Sequence, residues 1–423
     1  MTISMEKNKM TDLLFEKIAR AKRASRTFSL ISAEKRSECL VKMAQLMHEY
    51  GEDILEANRA DREIAEKANL ERKRINILSI SEKDICDMAA YFEEAAKLED
   101  LVGNIIEHSE EKNGLIREKR LIPLGVVLAV YEARPSVVTD SVALCMRTAN
   151  AVIFKGSRNA VNTDKAIVNV LKKACTECGI DENVITLIEE TGHEITYELV
   201  QMDRYIDLAI VRGGYQSLVD IKKQANIPVI GAGPGNCHIF IDESADMEMA
   251  VNIAVNSKVP RPLACNAAET ILIHEKWHIE NIRKLLGTLQ EKGIGLKGCD
   301  RICSIVKAEK ASEKDWAEEY FAPFLAVKIV SDVYEAVEHI NAYRTPHTEC
   351  IITENTASAE YFMANVEANV VTHNASTRLT DGIGFGLGGE MGISTQKYPC
   401  AGPIGMCHMM QEKYFLFGKG TLR

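Results

Sequence analysis

The sequence predicts an α/β protein: a parallel sheet with helices on both faces, a helical segment before it and a second α/β lobe after it. Three observations predict this. Short apolar runs alternate with amphipathic stretches from Gly125 to Ile230. The alternation resumes from Ala326 to Thr372. Glycine-bearing turns fall directly after strand-like runs, where doubly wound sheets bind ligands. A chain of 423 residues is too long for one small core and implies two or three packed lobes.

The first hundred residues read as helices. Ser32 caps one whose apolar positions include Leu40, Val41, Ala44 and Met47. Ser81 and Asp84 form a capping box that opens another, reaching about Lys97. The segments 105–111 and 115–121 flank Asn113-Gly114, which predicts a hairpin with a tight turn. Such a hairpin serves assembly or is a plain surface feature.

Gly125 to Tyr131 is a continuous apolar run, the pattern of a strand buried on both faces. Val137–Thr148 reads as helix, Ala151–Phe154 as strand and Asp164–Cys178 as a helix stopped by Gly179. Strands follow at Val184–Ile188, Leu208–Val211 and Ile227–Ile230. In the second lobe, strands at Ala326–Val330, Cys350–Thr353 and Ala368–Thr372 alternate with helices at Val333–Ala342 and Ala359–Val366. Asp381 to Gly392 is glycine-dense and predicts a loop that comes close to something.

Composition excludes several classes. A net charge of −10 argues against a nucleic-acid partner, which needs a basic face. Small anions respond to local charge and stay open. Met1 to Met10 carries Glu6, Lys7 and Lys9 and no apolar signal core. The longest apolar stretch, Leu121 to Tyr131, is far short of the roughly 18 residues a membrane helix needs. A cytoplasmic protein without membrane contact is expected, and its twelve cysteines should be reduced. Cys175 and Cys178 have C-x-x-C spacing, but no second ligand pair lies nearby, so no metal is expected.

Two turns suit phosphate. Lys155-Gly156-Ser157-Arg158 and Arg212-Gly213-Gly214 each follow a strand and precede a helix. Glycine lets backbone N–H groups approach an anion, and the helix start adds positive dipole. Neither matches the dinucleotide fingerprint or the P-loop. Cys265 lies in Arg261-Pro262-Leu263-Ala264-Cys265-Asn266-Ala267, an irregular segment. A cysteine is more often a buried inert thiol than a nucleophile, and composition alone does not choose Cys265 over the other eleven.

Five motifs carry a resemblance. Tyr131-Glu132-Ala133-Arg134-Pro135, Pro228 to Gly231 with Cys237-His238 and Ile241 to Asp246, Arg261-Pro262 with Cys265-Asn266-Ala267, Asn374 to Arg378, and Gly392 to Lys397 resemble segments of the γ-glutamyl phosphate reductases. The similarity runs in order from about residue 10 to the end. It implies membership of the aldehyde dehydrogenase superfamily: a Rossmann-type cofactor domain over 1–104 and 124–240, a catalytic α/β domain over 241–395, and oligomerisation elements at 105–123 and 396–423. A homodimer or homotetramer is then expected.

The resemblance also implies roles. Cys265 matches the nucleophile. Lys155 matches the lysine on the adenosine ribose, and Arg212, Gly213 and Gly214 the pyrophosphate turn. Glu319 matches the glutamate on the nicotinamide ribose. Ser157 and Arg158 complete the cofactor residues. The family is NADPH-linked, and Lys155 and Arg158 can neutralise a 2′-phosphate with no carboxylate between Lys155 and Ala160. Arg378, Thr377, Ser394 and Thr395 are candidates for the substrate α-carboxylate, and Arg134 and Arg261 for the departing phosphate.

Two departures from ordinary aldehyde dehydrogenases matter. Their water-activating glutamate is replaced by Gly231-Ala232-Gly233-Pro234-Gly235, which has no carboxylate. Losing a general base removes about 10²–10⁴-fold from water attack on an acyl-enzyme. Their oxyanion asparagine corresponds to Ala133, so backbone N–H groups near Cys265, with Asn266, are expected to hold the oxyanion. The chain also differs from its nearer family at Leu263, Val211, Tyr215 to Leu218 and Pro234 to Asn236.

The implied reaction is NADPH-dependent reduction of L-glutamyl 5-phosphate to L-glutamate 5-semialdehyde through a Cys265 thioester, with release of phosphate, as the second step of proline synthesis. Two rivals are a CoA-acylating aldehyde dehydrogenase and a catalytically dead binding protein on the same fold.

Overall fold

The structure, a computed structural model, describes residues 2–132, 134–382 and 385–422. Ala133 lies outside the described residues. The chain divides into two compact units, each discontinuous in sequence. The first comprises Met1–Gly231, Gly386–Gly392 and Ile404–Arg423. The second comprises Ala232–Phe385 and Ile393–Pro403.

The first unit opens with five helices: Thr2–Phe28, Ala33–Glu49, Gly51–Lys67, Arg72–Leu78 and Glu82–Ala96. Their starts follow side-chain chemistry. The Ser32 hydroxyl accepts from the Lys35 N–H, and Ser81 and Asp84 exchange bonds in a capping box. The strand Val126–Tyr131 then occupies the centre of a five-stranded sheet. Ala151–Lys155 and Leu208–Arg212 flank it, both parallel to it. Ile185–Leu187 and Val229–Ala232 form the edges. The chain fills one side of the central strand first and then the other. That makes a switch point beyond Tyr131 and Arg212, where such sheets bind ligands. The helix Val161–Glu177 covers the sheet and ends as expected at Gly179, which has φ +69°.

The hairpin forms, with Ile105–Glu110 antiparallel to Ile116–Pro123. Its turn differs from the expected two-residue type. The Glu111 N–H bonds the Leu115 carbonyl across three residues, and within the turn only Gly114 takes positive φ, +76°. That is a three-residue loop closed by a left-handed glycine, and Asn113 instead accepts from the Leu115 N–H. The strand Met410–Phe417 pairs on the other side of Ile116–Pro123, completing a three-stranded antiparallel sheet. Lys119 bridges Glu107 and Glu412 across all three strands. The expected tail 396–423 is therefore split: residues to Pro403 belong to the second unit and the rest to the first.

The second unit is built on a seven-stranded sheet. Its order is Glu309–Lys310, Gly295–Gly298, Phe324–Val330, Ala268–His274, Cys237–Ile241, Thr348–Ile352 and Val370–His373, all pairs parallel. Helices Met247–Lys258 and Ile279–Glu291 pack Ala250, Ala254, Leu285 and Leu289 onto Ile239, Ile271 and Leu325. Because Cys237–Ile241 bonds within this sheet, the break falls after Gly231, earlier than the expected one after residue 240. No helix among the described residues is long and apolar enough to cross a membrane.

Candidate active site: a cofactor cradle and a nucleophile loop

The cradle belongs to the first unit. Strand Ala151–Lys155 delivers Lys155, almost fully buried, to its end, where Nζ donates to the Gly156 carbonyl at 3.1 Å. Burial pulls the Lys155 pKa down, opposed by the nearby Glu190 and Asp164 carboxylates. The Ser157 hydroxyl accepts from the Asn159 N–H and shapes the turn. A Cβ on Gly156 would overlap the Asp164 carboxylate and press on the Tyr131 ring, so only glycine fits there. Burial lifts Asp164 to about 8, and the Tyr131 hydroxyl donates to its Oδ2 at 2.8 Å.

On the far side of Tyr131, strand Leu208–Arg212 ends in Arg212-Gly213-Gly214, and Gly214 caps the helix Tyr215–Gln224. Arg212 stands 4.0 Å from Asp140. The two turns share one cavity of about 680 Å³, walled also by Glu132, Thr191, Gly192 and His193. A void of this size with cations, glycine turns and a helix start suits the adenosine and phosphate half of a dinucleotide. Lys155, Ser157, Arg158 and Arg212 line it together. Arg74 lines it too, and sequence reasoning missed it, since the residue sits on the short helix Arg72–Leu78 far away in the chain.

Cys265, the expected nucleophile, belongs to the second unit. Helix Met247–Lys258 and strand Ala268–His274 bracket the loop that carries Cys265. The Ala264 N–H bonds the Arg261 carbonyl and the Ala267 N–H bonds the Ala264 carbonyl. Two successive turns thus hold the half-buried Cys265 at their corner. At the base of the loop Lys258 and Glu269 form a fully buried ion pair at 2.6 Å. Burial lifts Glu269 to about 8 and depresses Lys258, each countered by the other's charge.

The glycine segment packs against this loop. A Cβ on Gly235 would overlap the Cys265 carbonyl oxygen. The Cys237 thiol donates to that same oxygen at 3.4 Å and lies 3.6 Å from His347 Nδ1. Burial pushes the Cys237 thiol well above its ordinary range, so it holds backbone and does not compete as a thiolate. Glu319 Oε1 accepts from the Gly235 N–H at 2.9 Å. The segment 231–235 has no carboxylate of its own, yet Glu319 brings one to it. Glu319 belongs to the second unit, whereas Lys155, Ser157, Arg158 and Arg212 to Gly214 belong to the first.

Three expected substrate or oxyanion residues have other partners. The Asn266 amide is committed: Nδ2 donates to the Thr380 carbonyl at 2.9 Å and Oδ1 accepts from Arg378. Nδ2 also reaches the Arg378 carbonyl at 3.5 Å, so both amide N–H groups face backbone carbonyls and the side chain braces the loop. The Thr377 hydroxyl donates to the Asn266 carbonyl at 2.7 Å, and the Ser394 hydroxyl to the Cys400 carbonyl at 2.6 Å, both fully buried. Thr377 therefore tightens the nucleophile loop, and Ser394 closes the turn between the strands Ile393–Thr395 and Ala401–Pro403. Arg378 reaches Asn266, beside the nucleophile, and Thr395 faces Gly233. Arg261 is exposed at the start of the nucleophile loop. Arg134 follows the first sheet's central strand, and its charge acts on Asp140.

The family model for the aldehyde dehydrogenase family matches residues 8–302 and 302–396, and the chain belongs to that family. It is an oxidoreductase on this fold and works with a nicotinamide cofactor. Within the family it groups with the γ-glutamyl phosphate reductases. It is 41% identical to the one from Geobacillus thermodenitrificans over 97% of this chain and 99% of that one. Identity is 42% with that of Bacillus velezensis, over 98% and 100%. The crystal structure of the Thermotoga maritima γ-glutamyl phosphate reductase superposes with a TM-score of 0.89 at 36% identity, covering 97% and 99%. An acetylating aldehyde dehydrogenase from Geobacillus thermoglucosidasius, 17% identical with a TM-score of 0.74 over 97% and 98%, shares the fold.

Proposed function

We propose that the chain reduces L-glutamyl 5-phosphate to L-glutamate 5-semialdehyde, with NADPH as reductant and Cys265 as nucleophile, in the cytoplasm as the second step of proline synthesis. The observation that carries this is a cysteine held at the corner of a double turn, beside a glycine segment that lacks a carboxylate, in a chain akin over its full length to reductases of that name.

The Cys265 thiolate attacks the γ-acyl carbon. A C–S bond forms, the C–O bond to phosphorus breaks, and phosphate leaves. Arg261 and Arg134 neutralise that leaving charge, and Arg378 with Thr395 takes the α-carboxylate. Backbone N–H groups of the nucleophile loop hold the developing oxyanion, since the Asn266 side chain is occupied. When bound, NADPH would supply the hydride that reduces the thioester carbon. Breaking the C–S bond then returns the thiolate and frees the aldehyde, with one proton consumed overall. Lys155, Ser157 and Arg158 hold the adenosine end of the cofactor, Arg212 to Gly214 its pyrophosphate, and Glu319 the nicotinamide ribose. A homodimer or homotetramer assembles through the three-stranded sheet, which exposes Tyr414, Leu416 and Phe417.

The test runs the reaction backward. NADP⁺ reduction by glutamate semialdehyde should require inorganic phosphate, coenzyme A should not replace it, and Cys265→Ser should lose at least about 10³-fold in kcat. Turnover that ignores phosphate, or a Cys265→Ser protein of normal rate, would end the proposal. Preference for coenzyme A would identify an acylating dehydrogenase instead.

A further inference from the structure

Arg74 and Arg158 line the same cavity, yet they lie 84 residues apart in the sequence (158 − 74). Neither makes an ion pair among the described residues. The cavity's other charges are largely balanced or set back. Arg212 faces Asp140, and Glu190 is paired with Lys17 at 3.0 Å. Asp61 receives the N–H and side-chain donors of Asn162 and Thr163. Asp164 lies beneath Gly156, bound to Tyr131. Glu132 is the carboxylate in the wall, and it lies next to Gly213, at the other turn. The adenosine end is left with two guanidinium groups and the buried Lys155.

Arg74 is not there by accident of a loose segment. Its short helix is fastened to the turn that carries Arg158. Leu78 packs with Ala65 and Ala160 in a small buried cluster, and Leu70 and Ile75 close over it. Ala160 is the N-cap of the helix Val161–Glu177, two residues beyond Arg158. Asn58, buried, ties the same elements by hydrogen bonds. It donates to the Leu78 carbonyl at 2.9 Å and to the Thr163 hydroxyl at 3.2 Å, and accepts from the Ile80 N–H at 3.1 Å. Buried polar groups with both ends satisfied specify one arrangement. This one fixes a cation of the helical region over the Lys155 turn.

We infer that Arg74 is a specificity residue for the cofactor: with Arg158 it forms a two-arginine clamp for a ribose phosphate monoester, the 2′-phosphate of NADPH. A planar guanidinium offers paired donors that match phosphate oxygens, and two of them meet the two charges of a monoester. NADH has a neutral diol there and gains nothing from the clamp. The inference rests on the NADPH reading above.

The experiment measures binding to the full chain by titration calorimetry, with NADPH, NADH, 2′,5′-ADP and 5′-AMP as probes. Wild type should bind 2′,5′-ADP more tightly than 5′-AMP. Arg74→Ala should weaken NADPH and 2′,5′-ADP by about 10- to 100-fold, the range for a charge-assisted hydrogen-bonded pair, and leave NADH within about twofold. Arg74→Lys should recover part of the loss. Arg74→Ala with Arg158→Ala should lose less than the product of the single losses, because the clamp acts as a unit. An Arg74→Ala protein that binds NADPH like wild type, or that loses NADH affinity equally, overturns the clamp. Wild type that fails to distinguish 2′,5′-ADP from 5′-AMP overturns it as well, whereas the reductase reading then still stands or falls on phosphate-dependent turnover with NADH.

Discussion

The cofactor cradle and the nucleophile loop solve opposite problems with the same kinds of residue. In the cradle, cations stand open: Arg74 and Arg158 face a cavity of about 680 Å³ without carboxylate partners. Around Cys265 most charges and amides are bound to protein, and Arg261 stays exposed at the start of the loop. Lys258 holds Glu269, Arg378 holds Asn266, and Asn266 and Thr377 bridge backbone carbonyls. The difference follows from what each must do. A cradle receives and releases its ligand each cycle, so its charge is completed by the ligand. A nucleophile loop must present one sulfur in one place through acylation and reduction, so its support is internal.

The comparison breaks most readily at the buried ion pair. Lys258→Met strands the Glu269 carboxylate and should cost about 3–5 kcal/mol of stability, as seen in urea unfolding, with activity falling as the loop loosens. Lys258→Met with Glu269→Leu should regain most of the stability. A single variant as stable as wild type would mean that the loop does not depend on its base.

The glycines sharpen the contrast at smaller effect. Gly235→Ala pushes a methyl into the Cys265 carbonyl, which is backbone and cannot swing away, and should lower kcat about 10²-fold. Gly213→Ala meets only the flexible Glu132 side chain, at 3.1 Å, and should change cofactor KM severalfold at most. Equal effects would erase the distinction between a rigid loop and an adaptable cradle.

The smallest effect concerns pH. Burial holds the Asp164 carboxyl near 8 in the folded protein against an ordinary 3.8. The folded state therefore keeps a proton that the unfolded chain has released. The stability this gives is full below about pH 3.8 and drains away as pH rises through 8. Asp164→Asn should flatten that decline, read as melting temperature against pH from 4 to 9. Parallel profiles for the two proteins would show that Asp164 ionises freely beside Lys155.

The first unit was far more legible in sequence than the second. Val126–Tyr131 and Leu208–Arg212 are strands buried on both faces, and they read as apolar runs with glycine punctuation. The two central strands of the second sheet escaped for a physical reason. Cys237–Ile241 contains His238, bonded to the buried Glu349 at 3.0 Å, and Ala268–His274 contains Glu269. Charges neutralised in pairs look like surface to a hydropathy reading. Cys265 and the two glycine turns, the residues of the proposed site, were singled out from motifs. The brace on Asn266 was not, since its partners Arg378 and Thr380 lie more than a hundred residues further on. Arg74 escaped too, because only the small cluster around Ala160 brings it to the cradle.

The first unit also carries its own last strand at the far end of the chain. Met410–Phe417 closes the sheet begun by Ile105–Glu110 and Ile116–Pro123, and the Met409 carbonyl accepts from Asn150 at 2.7 Å beside the central strand. On the ribosome the first unit therefore stays unfinished until Met410–Phe417 has been made, after every residue of the second unit. A nonsense codon between positions 404 and 409 would strike the unit that holds the two glycine turns and spare the unit that bears Cys265.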